Sequence, residues 1–147
     1  MFDIILLVII LNLKIYKIKE DYIEFLRKYD NKVLMNKNEK RPYVGILFEI
    51  KNLSYFAPIS SPKPKHRTMK NTIDFIKINH GIYGAINLNN MIPVTKDNIM
   101  IFDISKEKNH NYKNLLYNQI KYININYNKI INSAIKLREK VNSNSNY

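Results

Sequence analysis

Cysteine is absent from this 147-residue chain, which excludes a disulfide framework, a thiolate metal site and a cysteine nucleophile together. That absence fits a reducing compartment, and a cytoplasmic protein is expected. Histidine is scarce, and His66, His80 and His110 are too scattered to form a metal pair; no metal and no cofactor is expected. Acid is short as well: 12 Asp and Glu stand against 24 Lys and Arg, a formal charge of +12. That excess favours a polyanionic partner, a nucleic acid or an anionic surface. Twenty lysines to four arginines, with abundant Ile, Asn and Tyr, is also what AT-rich coding produces. Local clustering therefore carries more than the total.

No apolar run reaches the roughly 20 residues that a membrane helix needs. The run from Met1 to Leu11 is too short, carries Asp3, and lacks the basic start and small-residue cleavage site of a signal peptide. Residues 1–11 thus read as an apolar N-terminal extension, either buried strand or a mis-assigned start, and residues 12–147 as a single domain. No membrane partner is expected. With 46% apolar residues, the chain can bury a core of its own.

Alternation from Leu13 to Ile18 predicts a strand, and Asp21 followed by Tyr22, Ile23, Phe25, Leu26 and Tyr29 predicts a capped amphipathic helix. Tyr43 to Ile50 reads as one strand that returns through Lys51-Asn52 into Leu53 to Ala57. Thr72 to Ile78 is an element of undecided type. Gly84 to Asn87 and Asn98 to Ile104 read as strands joined through Met91-Ile92-Pro93-Val94, and Tyr112 to Val141 as one long helix. The class is α+β, a mostly antiparallel sheet core flanked by helices, with a long C-terminal helix.

Chemistry concentrates in Ala57-Pro58-Ile59-Ser60-Ser61-Pro62-Lys63-Pro64. Each proline pushes the preceding residue out of the helical region, so Ser61 and Lys63 are held extended. Lys63, Lys65, Arg67, Lys70 and Lys77 face a single acid, Asp74, within Pro62 to Lys77. Two hydroxyls beside a cation, on a stiff segment inside a basic run, suit phosphate.

Four blocks carry a family resemblance: Tyr43 to Ile50, Phe56 to Lys63, Ile86 to Pro93 and Tyr112 to Gln119, in that order. Together they resemble the ToxN/AbiQ endoribonuclease toxins of type III toxin–antitoxin systems, from Leu13 to Arg138. The resemblance implies a compact, barrel-like ribonuclease-toxin fold and metal-independent RNA cleavage leaving a 2′,3′-cyclic phosphate and a 5′-hydroxyl. It implies an antitoxin RNA pseudoknot as partner, in closed rings alternating with protein, and cellular and phage mRNA as substrates. By motif, the catalytic candidates are Ser60, Ser61 and Lys63, with Arg41 where relatives usually carry lysine. The RNA-binding candidates are Tyr22, Lys65, Arg67, Lys70 and Tyr43. For Tyr22, Tyr43 and Phe75 a place in the core competes with contact to RNA. His66 reads as a surface histidine of a basic loop, with proton shuttling as its alternative.

In such chemistry the ribose 2′-hydroxyl attacks its own phosphate, and the protein orients it and stabilises the added charge. An ordinary lysine titrates near about 10.4 and acts as a cation at neutral pH; it becomes a base only if burial or neighbouring cations intervene. A non-catalytic RNA-binding module of the same fold is the competing reading, and RNA end groups separate the two. TTG encodes leucine and also starts bacterial genes, so initiation at Leu11 would give a native intact mass without residues 1–10; a species that contains them overturns that expectation.

Overall fold

The structure is a computed structural model that describes residues 12–145; the apolar extension 1–11 lies outside them. Twelve elements follow in order: β1 (Lys14–Ile18), α1 (Glu20–Arg27), β2 (Tyr43–Gly45), β3 (Glu49–Ile50), β4 (Leu53–Ser60), α2 (Pro64–Thr68), β5 (Phe75–Lys77), β6 (Ala85–Asn87), β7 (Ile92–Val94), β8 (Ile99–Ile101), α3 (His110–Ile125) and α4 (Tyr127–Ser145). Short 3₁₀ turns separate several of them. All recorded strand pairings are antiparallel, along the path β5-β6-β4-β2-β1-β8 with β3 and β7 branching from β4. No pairing joins β5 to β8 among the described residues.

The eight-residue β4 organises this sheet because its partners change along its length. Ser54 to Phe56 pair with β7, whereas Ile59 and Ser60 pair with β6 and Ala57 and Pro58 with β2. The N–H of Ile59 points to the Pro42 carbonyl on the β2 side. By alternation Pro58 would aim its donor the other way, into the gap between β7 and β6, where none is needed.

Both sheet faces are covered. Leu13, Ile15, Val44, Ala57, Ile59 and Ile86 pack with Leu116, Ile123, Ile130 and Ala134 of α3 and α4. Ile18, Tyr43, Phe56, Ile92 and Val94 pack with Ile23 of α1 and with Val33. Successive residues therefore enter different cores, Tyr43 one and Val44 the other. Leu13 is tied to α3 by the Asn124 amide, which accepts from its N–H at 2.9 Å and donates to its carbonyl at 3.0 Å. Among the described residues no helix is long and apolar enough to cross a membrane.

Three expectations are corrected. The first helix starts at Glu20 with Lys19 at its N-cap, so Asp21 lies inside its first turn. Tyr43 to Ile50 is two short strands: Leu47 and Phe48 turn away to exchange backbone hydrogen bonds with Tyr55. The C-terminal helix divides at Asn126 (φ −103°, ψ 22°), whose side-chain amide takes the Tyr122 carbonyl at 3.0 Å and competes with the helical ladder. Met91 to Val94 keeps the edge position that its proline suggests: it contains a short edge strand, β7, in which Pro93 sits opposite Tyr55.

Phe56 is fully buried, stacks edge-on to Tyr16 at 5.2 Å, and fills the space that a side chain at Gly45 would occupy. Phe56→Ala is expected to cost about 3–5 kcal/mol of unfolding free energy, read by denaturant titration; a cost under about 1 kcal/mol would refute this packing.

Candidate functional site

Ser60 ends β4, and the segment Ser61-Pro62-Lys63 leaves the sheet extended, with Lys63 at φ −133° and ψ 151°. This is the backbone that Pro64 demands of its predecessor. Ser61 and Lys63 are exposed and Ser60 half-buried. Ser60 sits opposite Ala85, so Asn87, two residues along β6 on the same face, reaches it diagonally. The Asn87 amide donates to Ser60 Oγ at 2.6 Å, leaving the hydroxyl proton free to be donated outward.

The basic run after Lys63 folds as α2. Its His66 is buried, at 2% exposure, and not the surface histidine expected. Phe75 and the Gly81 turn cover it, and a reciprocal bond ties it to Lys63. The Lys63 N–H donates to His66 Nδ1 at 3.1 Å, and the His66 N–H donates to the Lys63 carbonyl at 2.9 Å. Burial, then the charges of Lys65 and Lys63, hold the imidazole below its usual pKa.

Two glycines of the β5–β6 turn brace this segment from behind. A Cβ on Gly84, at φ +95°, would lie 1.9 Å from the Ser60 carbonyl oxygen, and one on Gly81, at φ +88°, 2.6 Å from that of His66. Only glycine permits so close an approach in this backbone conformation.

Two open grooves meet at Ser60 and Lys63. The first, about 630 Å³, is lined by Lys17, Lys37, Lys40, Arg41, Ser60, Ser61, Lys63, Phe102, Asn109 and Tyr112, with Glu107 its one carboxylate. The second, about 470 Å³, is lined by Ser60, Lys63, Lys65, His66, Lys70, Thr72, Asp74, Phe75, Asn87 and Asn89 among others. The four catalytic candidates thus come together, and Lys65 and Lys70 join them on the second side. Arg41 is anchored through Nε to the Met35 carbonyl at 2.7 Å. Lys17 lies over the Phe102 ring at 4.5 Å.

The loop that delivers Lys37, Lys40 and Arg41 is strained. Lys37, Asn38 and Glu39 lie in succession in the left-handed region, at φ 54°, 57° and 67°, each costing on the order of 1–2 kcal/mol. Glu20 and Glu39 hold it: the Glu39 carboxylate accepts the Glu20 N–H at 2.8 Å and the Glu20 carboxylate the Glu39 N–H at 3.2 Å. Buried Asn36 fastens the loop to β1 by donating to the Ile18 carbonyl at 2.7 Å.

Tyr43 cannot stack on a base. Its ring is 1% exposed within the α1-side core, and burial pushes its hydroxyl up to about 12 against the opposing pull of Arg41. This corrects its assignment as an RNA-binding residue. Tyr22 lines neither groove, and its hydroxyl donates to the Pro93 carbonyl at 2.6 Å. Arg67 is exposed on α2 but also lines neither. Among the described residues no three His, Asp or Glu side chains cluster as a metal site would need. Sequence reasoning missed Asn87, Gly84, Lys17, Lys37, Lys40 and Tyr112, whose roles depend on strand register and loop path; only Asn87 and Tyr112 lay within the blocks that carried the resemblance.

The family model for the toxin ToxN of type III toxin–antitoxin systems matches residues 14–147. The chain is 32% identical over 139 residues to the endoribonuclease ToxN of Pectobacterium atrosepticum, covering 88% of this chain and 81% of that one. It is 31% identical over 134 residues to that of Bacillus thuringiensis subsp. kurstaki, covering 88% and 69%. A protein solved in work on a processed non-coding RNA regulating a bacterial antiviral system superposes with a TM-score of 0.76 at 32% identity, over 89% of this chain and 87% of that one. Another, concerned with selective toxin inhibition by a non-coding RNA pseudoknot, superposes at 0.73 and 30% identity, over 86% and 78%.

Gly84→Ala is expected to lower unfolding free energy by about 2 kcal/mol or more and to move the Asn87 side-chain amide resonance as Ser60 shifts. An unchanged melting midpoint and spectrum would show that the turn does not brace Ser60.

Proposed function

The chain belongs to the ToxN family of type III toxin–antitoxin toxins, and from that premise we propose that it is an endoribonuclease that cuts RNA at Ser60, Ser61 and Lys63. The supporting observation is the meeting of the two cation-lined grooves at Ser60 and Lys63. A single strand crossing from one groove to the other sets one phosphate at that junction and leaves its flanking nucleotides on either side. Charge explains why RNA enters: five cations face one carboxylate in the first groove, and phosphate neutralisation dominates such binding.

The reaction is a transesterification. The 2′-hydroxyl oxygen loses its proton to water and bonds to phosphorus, the bond to the 5′-oxygen breaks and that oxygen takes a proton from water, leaving a 2′,3′-cyclic phosphate and a 5′-hydroxyl. Negative charge grows on the non-bridging oxygens, where the Lys63 ammonium and the Arg41 guanidinium stabilise it most. Arg41 never deprotonates, which limits it to charge and paired hydrogen bonds. The Ser60 proton, left free by Asn87, donates to the same oxygens or to the attacking hydroxyl. Ser61 serves likewise.

An antitoxin RNA pseudoknot is the inhibitor of this reading, bound over the same basic face in rings alternating with protein. Cellular and phage mRNAs are the substrates, and the cytoplasm is the compartment. The reading leaves phage defence to release of the toxin from its RNA.

Purified protein incubated with RNA should yield cyclic-phosphate and 5′-hydroxyl ends. Lys63→Ala and Ser61→Ala should each lower the cleavage rate by about 10²-fold or more while the antitoxin RNA still binds. Full activity in Lys63→Ala would overturn the assignment.

A further inference from the structure

The proposed chemistry gives His66 no part, yet His66 is buried and lines the second groove beside Ser60 and Lys63. Its ring packs against Phe75 of β5, at 5.8 Å between centroids, and both line the second groove. A Cβ on Gly81 would come within 3.0 Å of His66 Cβ, so the turn before β6 blocks retreat on another side. The Nδ1 atom accepts the Lys63 N–H, and Lys63 is the N-cap of α2, extended, with Pro62 before it and Pro64 after it. Prolines restrict the φ and ψ of this segment but supply no donor; Lys63 has the one backbone N–H between Ser61 and Lys65.

We propose that His66 is a positioning residue that sets where the Lys63 ammonium meets the phosphate, its Nδ1 lone pair holding the Lys63 N–H. This rests on the proposed RNA cleavage. The contact requires the Nε2–H tautomer, because a proton on Nδ1 would face a second donor. The charged groups that share the groove with the ring are Lys63 and Lys65 of its own segment, and Lys70 and Asp74 of the chain leading to β5; Lys77 of β5 donates through Nζ to the Arg67 carbonyl, and His80, beside Gly81, is exposed. Cations prevail, and with burial they disfavour the imidazolium. The folded-state pKa is therefore below 6.5, the contact stands above that pKa, and it is lost as pH falls through it.

Two substitutions separate positioning from proton transfer. His66→Asn puts a neutral oxygen near the place of Nδ1, while His66→Gln puts its polar atoms near the place of Nε2. His66→Gln should lose about ten- to a hundredfold in kcat with KM within about twofold. His66→Asn should keep most of kcat and lose the acid limb of kcat/KM that the native enzyme should show as pH falls through the lowered His66 pKa. Equal loss in both variants, with the acid limb retained in His66→Asn, overturns the proposal, and an inactive but folded His66→Asn assigns His66 to proton transfer instead. Nitrogen-15 NMR of the unsubstituted protein needs no turnover, so it distinguishes failure here from failure of the proposed activity. A neutral Nε2–H tautomer titrating below 6.5 supports the proposal, and an Nδ1–H tautomer overturns it even if RNA is cut.

Discussion

Everything at the site depends on β4 being held from both sides until its last residue. Its final pairs, Pro58 with Tyr43, Ile59 with Ile86 and Ser60 with Ala85, fix the strand against β2 and β6 just before the chain leaves the sheet. Ser60 inherits the rigidity of a central strand, and Ser61 and Lys63 follow within three residues of it. A loop site tethered only at its ends would have to order these groups on binding, at a conformational cost of about 1–2 kcal/mol per residue. Here the sheet and three prolines have met that cost in folding.

The opposite wall of the first groove is made differently. Its cations come from a loop that bends through three consecutive left-handed residues, and the bend persists only because Glu20, Glu39 and Asn36 pin it. Glu20 opens α1 while its carboxylate takes a backbone N–H of the loop, so helix and loop register together. The strain aims Lys37, Lys40 and Arg41 at one groove instead of letting them disperse over the surface. Placing like charges together is itself unfavourable, and a bound polyanion relieves it.

Much of this could be read beforehand, for local reasons. Pro64 alone dictates an extended Lys63, and alternation alone identifies β1. The relative placing of blocks distant in sequence could not. Asn87 matters through its diagonal to Ser60, which follows from the β4–β6 register. The burial of His66 arises from Phe75 and Gly81, brought in by a hairpin that looked like an undecided element. For Tyr43, contact with RNA competes with a place in the core until both faces of β2 prove to be covered. The break at Asn126 was visible as a residue type and hidden by the apolar stripe continuing across it.

The placing of the three histidines bears on how protons move. Ribonuclease chemistry by two imidazoles needs both within reach of one phosphate. His80 lies in the β5–β6 turn, His110 begins α3 beside Asn114, and neither lines either groove. His66 does line the second, with its Nδ1 already committed to a backbone donor. The two grooves thus bring one imidazole, not two, to the proposed site. What remains is a site rich in fixed positive charge and hydroxyl donors, and such a site lowers the barrier chiefly by meeting charge on phosphorus. On the proposed reading its demands are positional: the ammonium of Lys63 must already be where the charge appears. That is why so much of the fold, from Gly84 behind Ser60 to the imidazole behind Lys63, is spent on the backbone of four residues.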